Sequence, residues 1–135
     1  MQIKNQFPPN YQEIKNKFKD LEKSKPIFCY GDIIYNPFNL EVTYDLQVHE
    51  EVHSKQQGLY PEIWWNKYLN DDEFRLYQEI EAYGEQYKLA TTKATGKLLE
   101  WVLDKTAEAL SSELYGKLLT FNEAKCKIKN YTKYN

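Results

Sequence analysis

His49, Glu50 and His53 stand in the run "HEEVH", and these are the only two histidines of the chain. On an α-helix, residues i and i+4 lie one above the other on one face, so both imidazoles can aim a ring nitrogen at a single point. That arrangement chelates a metal ion. Zn2+ takes imidazole nitrogens at about 2.0–2.1 Å, and a catalytic zinc site uses three protein ligands, keeping the fourth position for water. Glu50 lies about 100° further round the helix than His49, where a carboxylate can take a proton from a metal-activated water without ligating the ion. Glu51 falls on the far side and is expected in solvent.

Two histidines leave the site one ligand short. The two cysteines, Cys29 and Cys126, lack metal-binding spacing, so a carboxylate is the expected third donor. The run "EIEAY" offers Glu79 and Glu81, which point to different faces of a helix. Glu79 shares its face with Arg75 and with Ala82, and a small alanine there lets a second helix come close. The spacing favours Glu79, with Glu81 as the second choice. A plain Arg75–Glu79 surface pair, worth only tenths of a kcal/mol, would give the same pattern. Arg75, Tyr83 and Tyr87 are candidate donors to a developing oxyanion, and Gln56 and Gln57 are candidates to steady a ligand by hydrogen bonding.

The elements that must position these residues can be read from periodicity and punctuation. Tyr11, Ile14, Phe18 and Leu21 form a helical stripe over residues 10–25, with Asn10 and Glu13 spaced as a capping box. Pro26 ends it. Residues 27–36, "IFCYGDIIYN", are rich in aromatic and β-branched types around a Gly31-Asp32 turn signal and predict a hairpin. Its free edge could accept an extended peptide. The metal-motif helix is expected over 44–57, capped by Thr43 or Asp45 and stopped by Gly58 in a left-handed conformation. The aromatic stretch "LYPEIWWNKYL" reads as packing with a helical turn after Pro61. Asn70 and Glu73 suggest a capping box opening the third-ligand helix, 71–90. Further helices occupy 96–129, with a serine cap before "ELYGKLL" and Asn122 as a cap for the last one.

Composition narrows the class. At 135 residues the chain fits one α+β domain, mostly helical, with a small antiparallel sheet beside the motif helix. The net charge of −2 makes no case for nucleic acid as a partner, and the lysines at 125, 127, 129 and 133 read as a solvated basic tail. No run approaches the roughly 20 apolar residues of a membrane span, and the first residues lack the apolar core of a signal peptide. A soluble protein of the cytoplasm, with free rather than bridged thiols, is the expectation. The 12 tyrosines and 3 tryptophans are expected mostly in packing.

"HEEVHSKQQG", "PEIWWNKYL", "EFRLYQEIEAY" and "LSSELYGKLLTFNEA" together resemble the small gluzincin-like metallopeptidases encoded by bacteriophages and prophages, over residues 26–124. The resemblance implies a zincin-like fold in which His49, His53 and a later-helix glutamate bind Zn2+ and Glu50 is the general base. In the related E-x-x-A-D pattern the ligand glutamate maps to Glu79, with Ala82 matching and Tyr83 in place of the aspartate. Glu51 and Lys55 depart from the uncharged context such motifs prefer. A peptide or protein substrate is implied, within the bacterial host cell or carried in the virion beside other particle proteins. The competing reading is a non-catalytic phage structural or assembly protein that keeps the fold with a structural metal or none.

Overall fold

A computed structural model of the chain describes residues 1–132. The lysine at 133, counted in the basic tail, lies outside them. The chain opens with β1 (Gln2–Lys4), α1 (Tyr11–Lys17) and α2 (Leu21–Ser24). The single helix expected over 10–25 is thus two. Phe18 leaves helical geometry (φ −115°, ψ 90°), and the bend lets Ile14, Phe18 and Leu21 all reach the interior. Asn10 makes no capping hydrogen bond through its side chain.

β2 (Phe28–Tyr30) and β3 (Ile33–Tyr35) form the expected antiparallel hairpin, pairing Phe28 with Tyr35. Gly31 turns it at φ +65°, a conformation that side chains disfavour. β1 adds a parallel strand on the other side of β3, giving the order β1-β3-β2. Its three residues are too few to show the alternation by which a strand is recognised.

α3 (Tyr44–Gln57) begins at Thr43, whose hydroxyl accepts the Leu46 N–H at 3.4 Å. Gly58 stops it at φ 58°, ψ −131°, a glycine conformation but not the left-handed helical one expected. The turn after Pro61 is a full helix, α4 (Pro61–Asn70), with proline in its first turn and Trp64, Trp65, Tyr68 and Leu69 buried. α5 (Asp72–Thr91) is capped by Asp71, not Asn70: the Asp71 carboxylate accepts the Phe74 N–H at 3.0 Å. Asn70 is still α4, its amide donating to the Asn66 carbonyl at 2.7 Å. α6 (Gly96–Leu110), a 3-10 turn (Glu113–Tyr115) and α7 (Phe121–Lys129) follow. Ser112 precedes the 3-10 turn without a side-chain cap bond, and the last helix is opened by a Thr120–Glu123 capping box rather than by Asn122.

Two apolar clusters build the interior. Ile14, Phe18, Leu21 and Phe28 pack with the α4 aromatics, and Leu103, Ala107, Leu110, Ala124 and Ile128 pack with Ile80 and Tyr83 of α5. α5 comes close to both neighbours through small residues. Ala82 is fully buried, and Gly84 lies so near the Tyr131 ring that a Cβ would stand 2.2 Å from it. The fold is mostly helical α+β, with the small sheet packed beside α3. Among the described residues no helix is long and apolar enough to cross a membrane.

Candidate metal centre

α3 buries His49, Glu50, His53 and Gln57, so its inward stripe is polar from end to end. Such a face is costly unless every group finds a partner. Glu51 and Lys55, on the opposite side, are exposed. Across from the stripe α5 presents Glu79, itself 2 % exposed. His49 Nε2 lies 3.2 Å from His53 Nε2, and Glu79 Oε1 stands 3.2 Å from the first and 3.3 Å from the second. A tetrahedral ion with bonds of about 2.0–2.1 Å holds its ligand atoms about 3.3 Å apart.

Hydrogen bonds around the triangle settle which ring nitrogens face it. Gln56 donates through Nε2 to Glu81 Oε1 at 2.7 Å and to the Gln78 carbonyl at 3.1 Å. Both partners are acceptors, so the Gln56 amide oxygen must point the other way, to His53 Nδ1 at 2.8 Å. His53 Nδ1 therefore carries the proton and donates it. Gln86 Oε1 stands 3.1 Å from His49 Nδ1. Both Nε2 atoms converge with a carboxylate oxygen on one point, where a proton or a metal cation can be held. The buried group His49, His53 and Glu79 can hold a metal ion. Tyr68 donates to the other carboxylate oxygen, Glu79 Oε2, at 2.7 Å.

The charges respond accordingly. Burial works against a cationic His53, but the charge and hydrogen bond of Glu79 outweigh it and raise the imidazole to about 9. Burial also acts to raise Glu79, yet the two histidines hold its carboxyl well below the usual range. Burial raises the Glu50 carboxyl, offset in part by the histidines. The phenols of Tyr68, Tyr83 and Tyr115 are pushed far up, by burial first and then by the charge of Glu79, and stay protonated donors.

The remaining candidate residues fall into different places. Glu81 is not in the group; its carboxylate holds Gln56 and acts on His53 only through that amide. Arg75, 1 % exposed, spends its guanidinium on the carbonyls of Tyr68 (2.7 Å) and Tyr115 (3.1 Å) and on Asp72, and does not line the cleft over the metal group. Gln57 supports no ligand: it accepts the Gly31 N–H at 2.7 Å and donates to the Cys29 carbonyl at 2.8 Å. Trp65 Nε1 donates to that same carbonyl at 3.0 Å, so the Cys29 carbonyl on the outer edge of β2 is already taken. Tyr83 packs its ring edge-on to His49, centroids 4.4 Å apart, and shares a 2.7 Å hydroxyl contact with Tyr115. Tyr87 packs against the cluster of α5, α6 and α7 and does not line the cleft over the metal group. Tyr68 and Gln86 escaped the sequence reading because only tertiary packing brings them to the ligands. Cys29 and Cys126 are free, and burial pushes the Cys29 thiol up.

Compared with protein-family models, curated proteins and solved structures, the chain matches none of them.

Proposed function

We propose that the chain is a zinc-dependent peptidase in which Glu50 is the general base. The observation that carries this reading is the triangle of His49 Nε2, His53 Nε2 and Glu79 Oε1, with edges of 3.2–3.3 Å, beside a buried Glu50 in one cleft. Two imidazoles and a carboxylate suit zinc, and three protein ligands are the count of a catalytic site, whereas a structural zinc is usually closed by four. That count favours catalysis over a purely structural metal in an assembly protein. Zinc bound there supplies Lewis-acid polarisation of the scissile carbonyl and lowers the pKa of a water to about 7.

The chain's own residues do the rest. Glu50 takes the proton of the attacking water and later gives it to the leaving amine nitrogen, and its raised pKa suits a group that must both accept and donate. Tyr83 and Tyr115, protonated and facing the same cleft, are the nearby donors for the carbonyl oxygen as charge develops on it. Tyr68 holds Glu79 through Oε2, which also stands 3.2 Å from His53 Nε2, while Oε1 faces both histidines.

The test is zinc content followed by cleavage of an unstructured protein such as reduced casein. The expectation is one zinc per chain, lost in His49→Ala, and peptide hydrolysis that Glu50→Gln lowers by about 10²–10⁴-fold without loss of the metal. Stoichiometric zinc with identical activity in Glu50→Gln would end the catalytic part of the proposal, and a metal-free protein would end all of it.

A further inference from the structure

Phe18, Leu21 and Leu114 line not only the metal cleft but also a second one, of about 480 Å³, that contains none of the metal group. Its character is the opposite. Lys17, Lys19 and Lys23 enter it from α1, the bend and α2, and Arg75 enters it from the start of α5. Three carboxylates share the lining, and each already has a cation: Asp20 pairs with Lys23 at 3.7 Å, Glu113 with Lys117 at 3.3 Å, and Asp72 with Arg75. Lys17 and Lys19 have no carboxylate partner among the described residues, so two positive charges are left over. Arg75 adds a fixed donor. A guanidinium carries five N–H bonds, and Arg75, 1 % exposed, directs three of them to the carbonyls of Tyr115 and Tyr68 and to the Asp72 carboxylate. One N–H on each terminal nitrogen is left. Gly116 keeps Nη2 approachable, because a Cβ there would stand 3.3 Å from it, and Gly116, Asp72 and Arg75 all line the cleft. A buried donor without an acceptor is costly, and an anion in the cleft supplies one.

We infer that this polar cleft binds a small hydroxylated phosphate monoester, its phosphate held by Lys17, Lys19 and Arg75. Two lysines and a guanidinium edge offer more than one carboxylate needs, whereas the three terminal oxygens of a phosphate dianion give each an acceptor. The volume decides how the phosphate arrives. About 480 Å³ falls within the range of about 300–1,000 Å³ of small-molecule sites and leaves room beside a phosphate for the body of the molecule. Ser24 and the carboxylates of Asp20 and Glu113, on the same lining, accept hydrogen bonds from hydroxyl groups on that body. The site depends neither on the metal nor on peptide cleavage.

The experiment titrates the full-length protein with glycerol 3-phosphate, inorganic phosphate, glycerol and acetate at low ionic strength and about pH 8, where a phosphate ester carries close to two charges. Backbone amide and arginine Nε–H signals are followed by NMR. Glycerol 3-phosphate is expected to bind in about the millimolar range or tighter and to move the signals of Leu114, Gly116 and Arg75, which acetate and glycerol leave in place. Lys17→Gln combined with Lys19→Gln, both exposed positions, should keep the fold and weaken binding at least about tenfold, since a unit charge at about 4 Å is worth roughly fivefold even in water. Lys127→Gln combined with Lys129→Gln removes the same charge from exposed positions of α7 and should leave binding unchanged. Equal weakening in the α7 variant would reduce the effect to overall charge and overturn the site. Signals that stay in place with glycerol 3-phosphate, or acetate that binds as tightly, would overturn it as well. Inorganic phosphate binding as tightly as the ester would overturn the assignment of a phosphorylated molecule to the cleft.

Discussion

Gln56 shows how one side chain can set the state of another that faces the metal point. Its amide cannot rotate without facing its oxygen to the Glu81 carboxylate and the Gln78 carbonyl, so His53 is fixed as the Nδ1–H tautomer with Nε2 turned to the metal point. Gln56→Leu is expected to keep the fold, by far-ultraviolet circular dichroism, and to weaken zinc binding about 10–100-fold in competition with a chelator. Unchanged affinity would mean that the tautomer is set by something else. At this scale the sequence was legible where spacing along one helix does the work. His49 and His53 lie on one face by arithmetic, and Ala82 marked the face of α5 that α3 can approach. It was not legible for Gln86, 37 residues from His49, or for Tyr68, 11 from Glu79, because those contacts are made by side-chain tips on separate helices. Glu81, the second choice for third ligand, instead accepts from an amide on α3 that no spacing within α5 points to.

Between elements, α3 is placed by hydrogen bonds as much as by apolar burial. The face it buries, His49, Glu50, His53 and Gln57, shows no hydrophobic stripe, so the helix was predicted from its ends and its motif. Gln57 ties its C-terminal end to the hairpin by satisfying the Gly31 N–H and the Cys29 carbonyl, bonds that an added strand would otherwise make. Gln57→Leu keeps the volume and strands the Gly31 donor, while Trp65 still serves the Cys29 carbonyl. A loss of about 1–3 kcal/mol in urea unfolding is expected, with one zinc still bound per chain. No loss would show that water replaces the amide at no cost. The same competition between local and tertiary partners explains the boundary errors. Capping patterns at Asn10 and Asn70 were sound as patterns, but α1 starts without a side-chain cap, and Asp71, extended at φ −130° and ψ 104°, both ends α4 and caps α5. The Trp64-Trp65 and Tyr68-Leu69 pairs repeat one helical turn apart behind Pro61, a full-helix signal hidden by their aromatic bulk.

For the molecule as a whole, ligand and proton compete for one point, and the competition gives stability a distinctive pH dependence. In the metal-free protein His53 is held to about 9, above its ordinary 6.5. A raised imidazole contributes stability that is complete below the unfolded value of about 6.5 and is lost as pH rises through about 9. Glu79 runs the other way. Its depressed pKa contributes stability above the ordinary carboxylate value of 4.5, lost only as acid begins to protonate it. The buried charge of Glu50, whose pKa is raised, adds to the loss above 4.5. The metal-free melting temperature should therefore fall between pH 6.5 and 9.5. If zinc is the ion, as proposed, it would have to displace the His53 proton, so its apparent affinity should rise about tenfold per pH unit up to about 9 and level off beyond it. At pH 8 and zinc at about 100 times its dissociation constant, binding contributes about 2.7 kcal/mol, which for a domain of this size raises the melting temperature by roughly 8 °C. Scanning calorimetry at fixed free zinc should then show the metal-induced increment growing with pH while the metal-free baseline declines. An increment independent of pH between 6.5 and 9 would place the exchanging proton somewhere other than His53. His53→Ala, which removes both the proton and a ligand, is expected to flatten the metal-free decline and to abolish the increment in the same scan.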